Sequence, residues 1–397
     1  MVIMLPHNLP VVIFLLVGKI PRNIGKERVS KCMQNHIKAQ EYLEGEAVVR
    51  HMENEDDGHA LDIFTVVNEA SGECVKSQKL PQSYAEKCKS LKFEDDMKTE
   101  PSFLTDFNNG RLGNQLSSFA SVYGLSKVNG IRPMLTHRCK DALSLYFNSI
   151  DLPVLEETYC NPCAHIKFHN LRADEALPPL HYGQAYKMAE AYSNLVPTYA
   201  PLIHKLKKML TFRSEFQTAA QSQLTQALKA LPLDSPTFVG VHNRRTDFKS
   251  HMKNGYGADL VGPAYFTNAL QLFRRTLQNT IFIVVTDDIP WAQRHISGPD
   301  VFFPDHHLTI CDTDQEKIDV GVDLALLAAC NHTIVTYGTF GFWGALLSGG
   351  ATMMSTQAVL LRDLVEEAHL NNFVFVDENE DWQSYEEDVK SAIKHLN

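Results

Sequence analysis

The sequence predicts an α/β protein built on parallel sheets, and three observations carry that expectation. From Phe103 onward, short apolar runs alternate with longer amphipathic stretches. The runs have strand length and the stretches have helix length. Polar clusters follow the ends of the apolar runs. Repeated β-α units imply a parallel sheet covered on both faces, and ligands on such sheets bind beyond the carboxyl ends of the strands.

The elements follow in chain order. Ser102-Phe103-Leu104 is a short strand or turn before the glycine loop Gly110-Arg111-Leu112-Gly113-Asn114-Gln115. Leu116, Phe119, Ala120, Tyr123 and Val128 then recur at helical spacing, and Ile131–Leu135 is the next strand. Helical stretches are expected near Tyr186–Leu195, Leu202–Leu210 and Glu215–Ala230, punctuated by Pro197, Pro201 and Pro232. Thr237–Val241 is a short buried strand. After a loop, Pro263 opens a helix with Tyr265, Phe266, Ala269, Leu270, Phe273 and Leu277 on one face. Ile281–Thr286 is an apolar strand, and Pro290 starts a short helix. Val320–Ala329 is helical, Thr333–Thr336 a strand and Phe342–Leu347 a helix.

At 397 residues the chain is too long for one small core, so two domains are expected. The expected division is an apolar leader over 1–20, a charged stem or annex over 21–100, and Rossmann-like domains over 101–230 and 231–397. A formal net charge of −10 argues against a general nucleic-acid surface. It leaves an anionic small ligand open, because a few local arginines can invert the field.

Met1–Val17 carries no formal charge, and Val11–Val17 is unbroken apolar sequence. This fits a short signal anchor, a signal-peptide core or a stretch upstream of the true start. A spanning helix needs about 20 apolar residues, and Pro6, His7, Asn8 and Pro10 interrupt this one. Lys19, Arg22, Lys26 and Arg28 all follow it, which by the positive-inside rule opposes a luminal body. The eight cysteines are compatible with luminal disulfides, and Cys160-Asn161-Pro162-Cys163 reads as a local disulfide or two thiols rather than a zinc site. The one glycosylation sequon, Asn331-His332-Thr333, lies between a core helix and a strand, where burial is expected to leave it unmodified.

Four polar clusters can carry chemistry. His242-Asn243-Arg244-Arg245-Thr246-Asp247 follows a buried strand. Guanidinium forks suit diphosphates, though paired arginines at a strand end also make surface ion pairs. Tyr337-Gly338-Thr339-Phe340-Gly341 precedes a helix, whose free N–H groups favour phosphate. Thr286-Asp287-Asp288 offers carboxylates for a nucleoside, or a helix N-cap before Pro290. In Gly110–Gln115, Asn114 could reach a phosphate or sugar, or the glycines only make a turn. A DxD at Asp312-Thr313-Asp314, with Asp305, His306 and His307 nearby, is a rival metal site.

In order and spacing these segments resemble the galactoside α-1,2-fucosyltransferases, family 11 of the glycosyltransferases. The resemblance covers about residues 104–360 and rests on Gly110–Gln115, Val239–Phe248, Phe282–Asp288 and the long block Asp323–Trp343. It implies a GT-B-like fold of two facing Rossmann-type domains, with the acceptor side first and the donor side second. It implies inverting transfer of L-fucose from GDP-fucose to a glycan acceptor on a glycoprotein or glycolipid, by default the 2-OH of a terminal β-galactose. Another linkage, or a non-catalytic GDP-sugar or glycan binder on the same scaffold, stays open. No metal or other cofactor is implied, and the setting is the Golgi membrane with a single-pass type II anchor.

Carried onto this chain, Arg244 would hold the β-phosphate and neutralise the leaving GDP. Arg245 would support it or hold the local structure. His242 with Asp287 or Asp288 would contact the nucleoside. Gly338, Thr339 and Phe340 would cradle phosphate, and Gly113 and Asn114 would approach the donor from the other domain. Asp247 is the candidate base, or else a salt bridge orienting the arginines. Three residues depart from the family pattern: Thr246 for a usual glycine, Asn243 for an aliphatic residue and Phe248 for a tyrosine.

Overall fold

The computed structural model describes residues 102–106, 110–155, 168–171, 180–181, 184–188, 194–305 and 315–394, with two short antiparallel strands at Val66–Val67 and Cys74–Val75. The apolar leader, the Cys160–Cys163 pair, His306 and His307, and the DxD at Asp312–Asp314 lie outside the described residues. Of the cysteines within them, Cys139 and Cys330 are buried free thiols.

The first sheet contains β1 (Phe103–Thr105), β2 (Arg132–Met134), β3 (Phe168–Leu171) and β4 (Ala185–Met188), ordered β2-β1-β4-β3 and parallel throughout. Helix α1 (Leu112–Asn129) carries the chain from β1 to β2, and α2 (His137–Ser144) follows. Gly130, in the left-handed region at φ 66°, ends α1 and lets its N–H bond back to Ser126.

The helix expected near Tyr186–Leu195 is not formed at its start. Tyr186 lies inside β4, in register with Leu104 of β1. A short apolar run does not separate a buried strand from a helix by period alone, and pairing with β1 decides it. Ala185, Tyr186 and Met188 are all buried, as a strand covered on both faces requires. Helices α3 (Ile203–Met209) and α4 (Ser214–Ala230) form as expected.

The second sheet has six parallel strands: β5 (Thr237–Asn243), β6 (Thr280–Thr286), β7 (Val301–Phe302), β8 (His332–Val335), β9 (Thr352–Ser355) and β10 (Phe373–Val376). Their order is β10-β9-β8-β5-β6-β7. The chain runs outward from β5 to β7, crosses back, and runs outward again from β8 to β10. This is the doubly wound Rossmann order, with its reversal between β5 and β8. The register sets His242 beside both Val285 and Val335, so β5, β6 and β8 end at one level.

The intervening helices are α5 (Phe248–Tyr256), α6 (Pro263–Thr276), α7 (Ile289–His295), α8 (Gln315–Ala329), α9 (Thr339–Ser348), α10 (Val359–Glu367) and α11 (Glu386–Lys394). Helix α5 occupies what the residue pattern left as a loop. Among the described residues, no helix is long and apolar enough to cross a membrane.

The two sheets are joined by direct packing of α1 on α9. Trp343, fully buried, donates from Nε1 to Ser117 Oγ at 2.9 Å and stacks on Tyr199 at 5.7 Å between centroids. One continuous apolar cluster runs from Leu112 through Trp343 to Ala392. The sequon is only partly covered. Thr333 is buried and bonded to Thr352, but Asn331 is exposed, with its Oδ1 accepting from the Phe238 N–H. The expected burial therefore holds for Thr333 and not for the asparagine, which sits in the turn before β8.

Desolvation and the neighbouring Asp319 push the Asp323 carboxyl of α8 from 3.8 up to about 8. The folded chain binds this proton more tightly than the unfolded one, so stability falls as pH rises between those values. Asp323→Asn is expected to raise Tm more at pH 8 than at pH 5. Equal shifts at both pH values would mean that ionisation of Asp323 does not limit stability.

Candidate functional site

The carboxyl ends of β5, β6 and β8 bring the sequence clusters together at the topological switch point. Arg244 leaves the end of β5 and is mostly buried. Its Nε and Nη2 donate to Asp247 at 2.7–2.9 Å, and its Nε lies 3.3 Å from Asp287 Oδ2. Asp247 also receives Arg111 Nη1 at 2.9 Å. Arg111 stands just before α1 and so belongs to the other sheet's helix. Asp247 is thus an ion-pair partner of two guanidinium groups, a geometry that orients Arg244.

Asp287 organises the loop from beneath. Its Oδ1 accepts from the Arg245 N–H at 2.7 Å. Its Oδ2 accepts from the Thr246 N–H at 3.2 Å and from Thr246 Oγ1 at 2.6 Å. Asp288 caps α7, accepting from the Trp291 N–H at 3.1 Å. Both carboxylates are therefore engaged by the chain itself. Arg245 turns away from Arg244: its guanidinium lies 3.5 Å from the Trp291 ring centroid, and Nη1 donates to the Val261 carbonyl.

The two glycine loops meet head to head. Gly338, at φ 85°, is the N-cap of α9 and offers no side chain, so the first-turn N–H groups of Thr339, Phe340 and Gly341 lack intrahelical acceptors. Arg111 caps α1 without a side-chain hydrogen bond either. Thr339 Oγ1 donates to Asn114 Oδ1 at 2.6 Å. A Cβ on Gly113 would stand 2.5 Å from Phe340 N, so only glycine allows the approach. Two helix N-termini therefore converge beside Arg244, and all three features favour a polyanion.

His242 is covered by the start of α9, where a Cβ on Gly341 would meet its Nδ1 at 2.4 Å. Nδ1 has no hydrogen-bond partner, and burial drives the ring pKa down to about 4. The ring is neutral at physiological pH. Among the described residues, no group of three or more His, Cys, Asp or Glu side chains is gathered as for a metal ion.

Residues 73–374 match the family model described as glycosyl transferase family 11. The chain belongs to that family. A galactoside alpha-(1,2)-fucosyltransferase 1 from Gorilla gorilla gorilla is 31% identical over 254 residues, covering 63% of this chain and 66% of the relative. A galactoside alpha-(1,2)-fucosyltransferase 2 from Pongo pygmaeus is 30% identical over 290 residues, covering 72% and 80%. The chain therefore spans about two thirds of the first relative's length, 66%. A solved alpha-1,6-fucosyltransferase, NodZ, soaked with GDP-fucose, overlays 62% of this chain and 92% of its own at 15% identity and a TM-score of 0.39. The fold assignment accordingly rests on the strand order of the chain itself.

Within this family 11 chain, the three departures from the usual motif each find a local partner. Thr246 bonds to Asp287, and Asn243 Nδ2 donates to Thr286 Oγ1 at 3.1 Å. Phe248 stacks on Tyr337 with centroids 4.7 Å apart. Arg111 joins the site only through the fold, by its ion pair with Asp247. It lies inside the Gly110–Gln115 motif, but nothing in its spacing tells that it meets Asp247 across the site.

Gly113→Ala is expected to destabilise the protein by about 1–3 kcal/mol in urea unfolding, because Cβ overlaps backbone that cannot retreat. Gly255→Ala, in α5 with open space around it, is the control and should be neutral or slightly stabilising. Equal behaviour of the two variants would show that the helix ends are not held in contact.

Proposed function

We propose that this chain transfers L-fucose, with inversion, from GDP-fucose to the 2-OH of a terminal β-galactose on a glycan acceptor. The carrying observation is Arg244 at the Rossmann switch point, linked through Asp247 to Arg111 at the start of α1, whose Gly113 packs on the uncapped start of α9. Family membership supports the donor, and the names of the relatives support the linkage. In this reading residues 231–397 hold the donor and residues 101–230 form the acceptor side. The setting is the Golgi membrane, with the apolar Val11–Val17 run as part of a type II anchor.

Charge develops on the β-phosphate oxygen as the fucosyl cation-like centre forms. Arg244 and the N–H groups of Thr339 and Phe340 stabilise that charge, so no metal is required for the leaving group. Gly338 and Gly113 let the backbone come close, and Asn114 holds Thr339 from the opposite helix. His242 supplies a neutral polar contact to the nucleoside. Asp287 fixes the loop that aims Arg244, and Arg245 anchors that loop on Trp291.

Activity is tested by a donor-by-acceptor screen with and without EDTA. GDP-fucose turnover on β-galactosides that survives EDTA is expected; abolition by EDTA would transfer the role to a metal site such as Asp312 and Asp314. Arg244→Ala is expected to lower kcat by roughly 10²–10³. Retention of more than about a tenth of the rate is inconsistent with loss of a charged transition-state donor. GDP binding without any turnover would instead favour a non-catalytic binder.

A further inference from the structure

We propose that Asp247 is a built-in stand-in for the donor diphosphate, and that Arg111 is a positioning residue that draws it aside when the donor arrives. The proposal rests on the donor reading above and deepens it. In the ligand-free chain, Arg244 is already occupied: Nε and Nη2 both donate to Asp247 at 2.7–2.9 Å. A diphosphate gripped in bidentate fashion by the Nε–Nη2 edge takes over those donors, because that edge presents its N–H groups in one fixed direction. The displaced carboxylate needs another cation. Arg111 Nη1 is already 2.9 Å from Asp247 Oδ2.

The exposures match an exchange rather than a permanent bridge. Arg244 is 21% exposed, whereas Asp247 is 49% and Arg111 67% exposed. The moving partners are those in solvent, where separating a pair costs little. Meanwhile Asp287 holds the loop backbone at Arg245 and Thr246, so the main chain stays in place as Asp247 swings. Because Arg111 precedes α1 and Asp247 follows β5, the exchange couples the two sheets to donor occupancy. It also assists release: when GDP leaves, Asp247 returns to Arg244.

The proposal makes the effect of Arg111 depend on Asp247, and a double-mutant cycle on GDP affinity reads that dependence. Calorimetry on the full chain is expected to show GDP binding weakened about two- to fivefold by Arg111→Ala and largely restored in Arg111→Lys. Asp247→Asn should tighten GDP binding, and adding Arg111→Ala to it should then change nothing. Equal weakening by Arg111→Ala in both backgrounds would overturn the proposal, since Arg111 would then touch the phosphates itself. In turnover, Arg111→Ala is expected to raise the donor KM with kcat kept; a fall in kcat at unchanged KM would also overturn it. Asp247→Asn with unchanged or weaker GDP affinity, at wild-type Tm, removes the stand-in. Absence of GDP binding by the unmodified chain would instead overturn the donor reading on which this rests.

Discussion

The structure depends on one close approach, the meeting of the α1 and α9 N-termini at Gly113 and Phe340. Each helix belongs to a different sheet, and each presents uncapped N–H groups at the same place. Such ends repel one another electrostatically unless an anion lies between or beside them. The contact is held by groups further along the helices. Trp343 reaches Ser117, Ser117 reaches the Gly113 carbonyl, and Tyr199 covers the indole. Buried apolar area and these hydrogen bonds offset the unfavourable alignment, and the result is a fixed electropositive corner.

Around that corner the charges are arranged in layers. Asp287 lies below, bonded to backbone and to Thr246, and it fixes where the loop after β5 can go. Arg245 points outward onto Trp291 and locks the same loop from the other side. This leaves Arg244 as the arginine free to exchange partners, with Asp247 as its mobile counter-ion. A fixed carboxylate and a movable one give the loop both rigidity and response.

The departures from the family motif fit this layering. Thr246 adds a hydroxyl donor to Asp287, where a glycine would leave only its N–H. Asn243 joins β5 to β6 through Thr286, and Phe248 lies flat on Tyr337. Each change is absorbed within the loop or the sheet end, which accounts for how the chain keeps this corner while its own motif differs.

Much of this was legible in the residues. The strand–helix alternation after Thr237 gave the second sheet, because buried parallel strands are short apolar runs bounded by turn residues. The four polar clusters marked strand ends, and Asp288 as a cap was readable from Pro290 and Trp291. The strand at Tyr186 was not legible, since its partner β1 lies some eighty residues away and only pairing selects it. Sequence by itself determined which residue types could form a diphosphate site and on which strands they would stand. Tertiary structure alone decided that Arg111 and Asp247 meet and that Arg245 faces Trp291. Side-chain direction at a loop follows from contacts with distant elements, and no local pattern encodes those contacts.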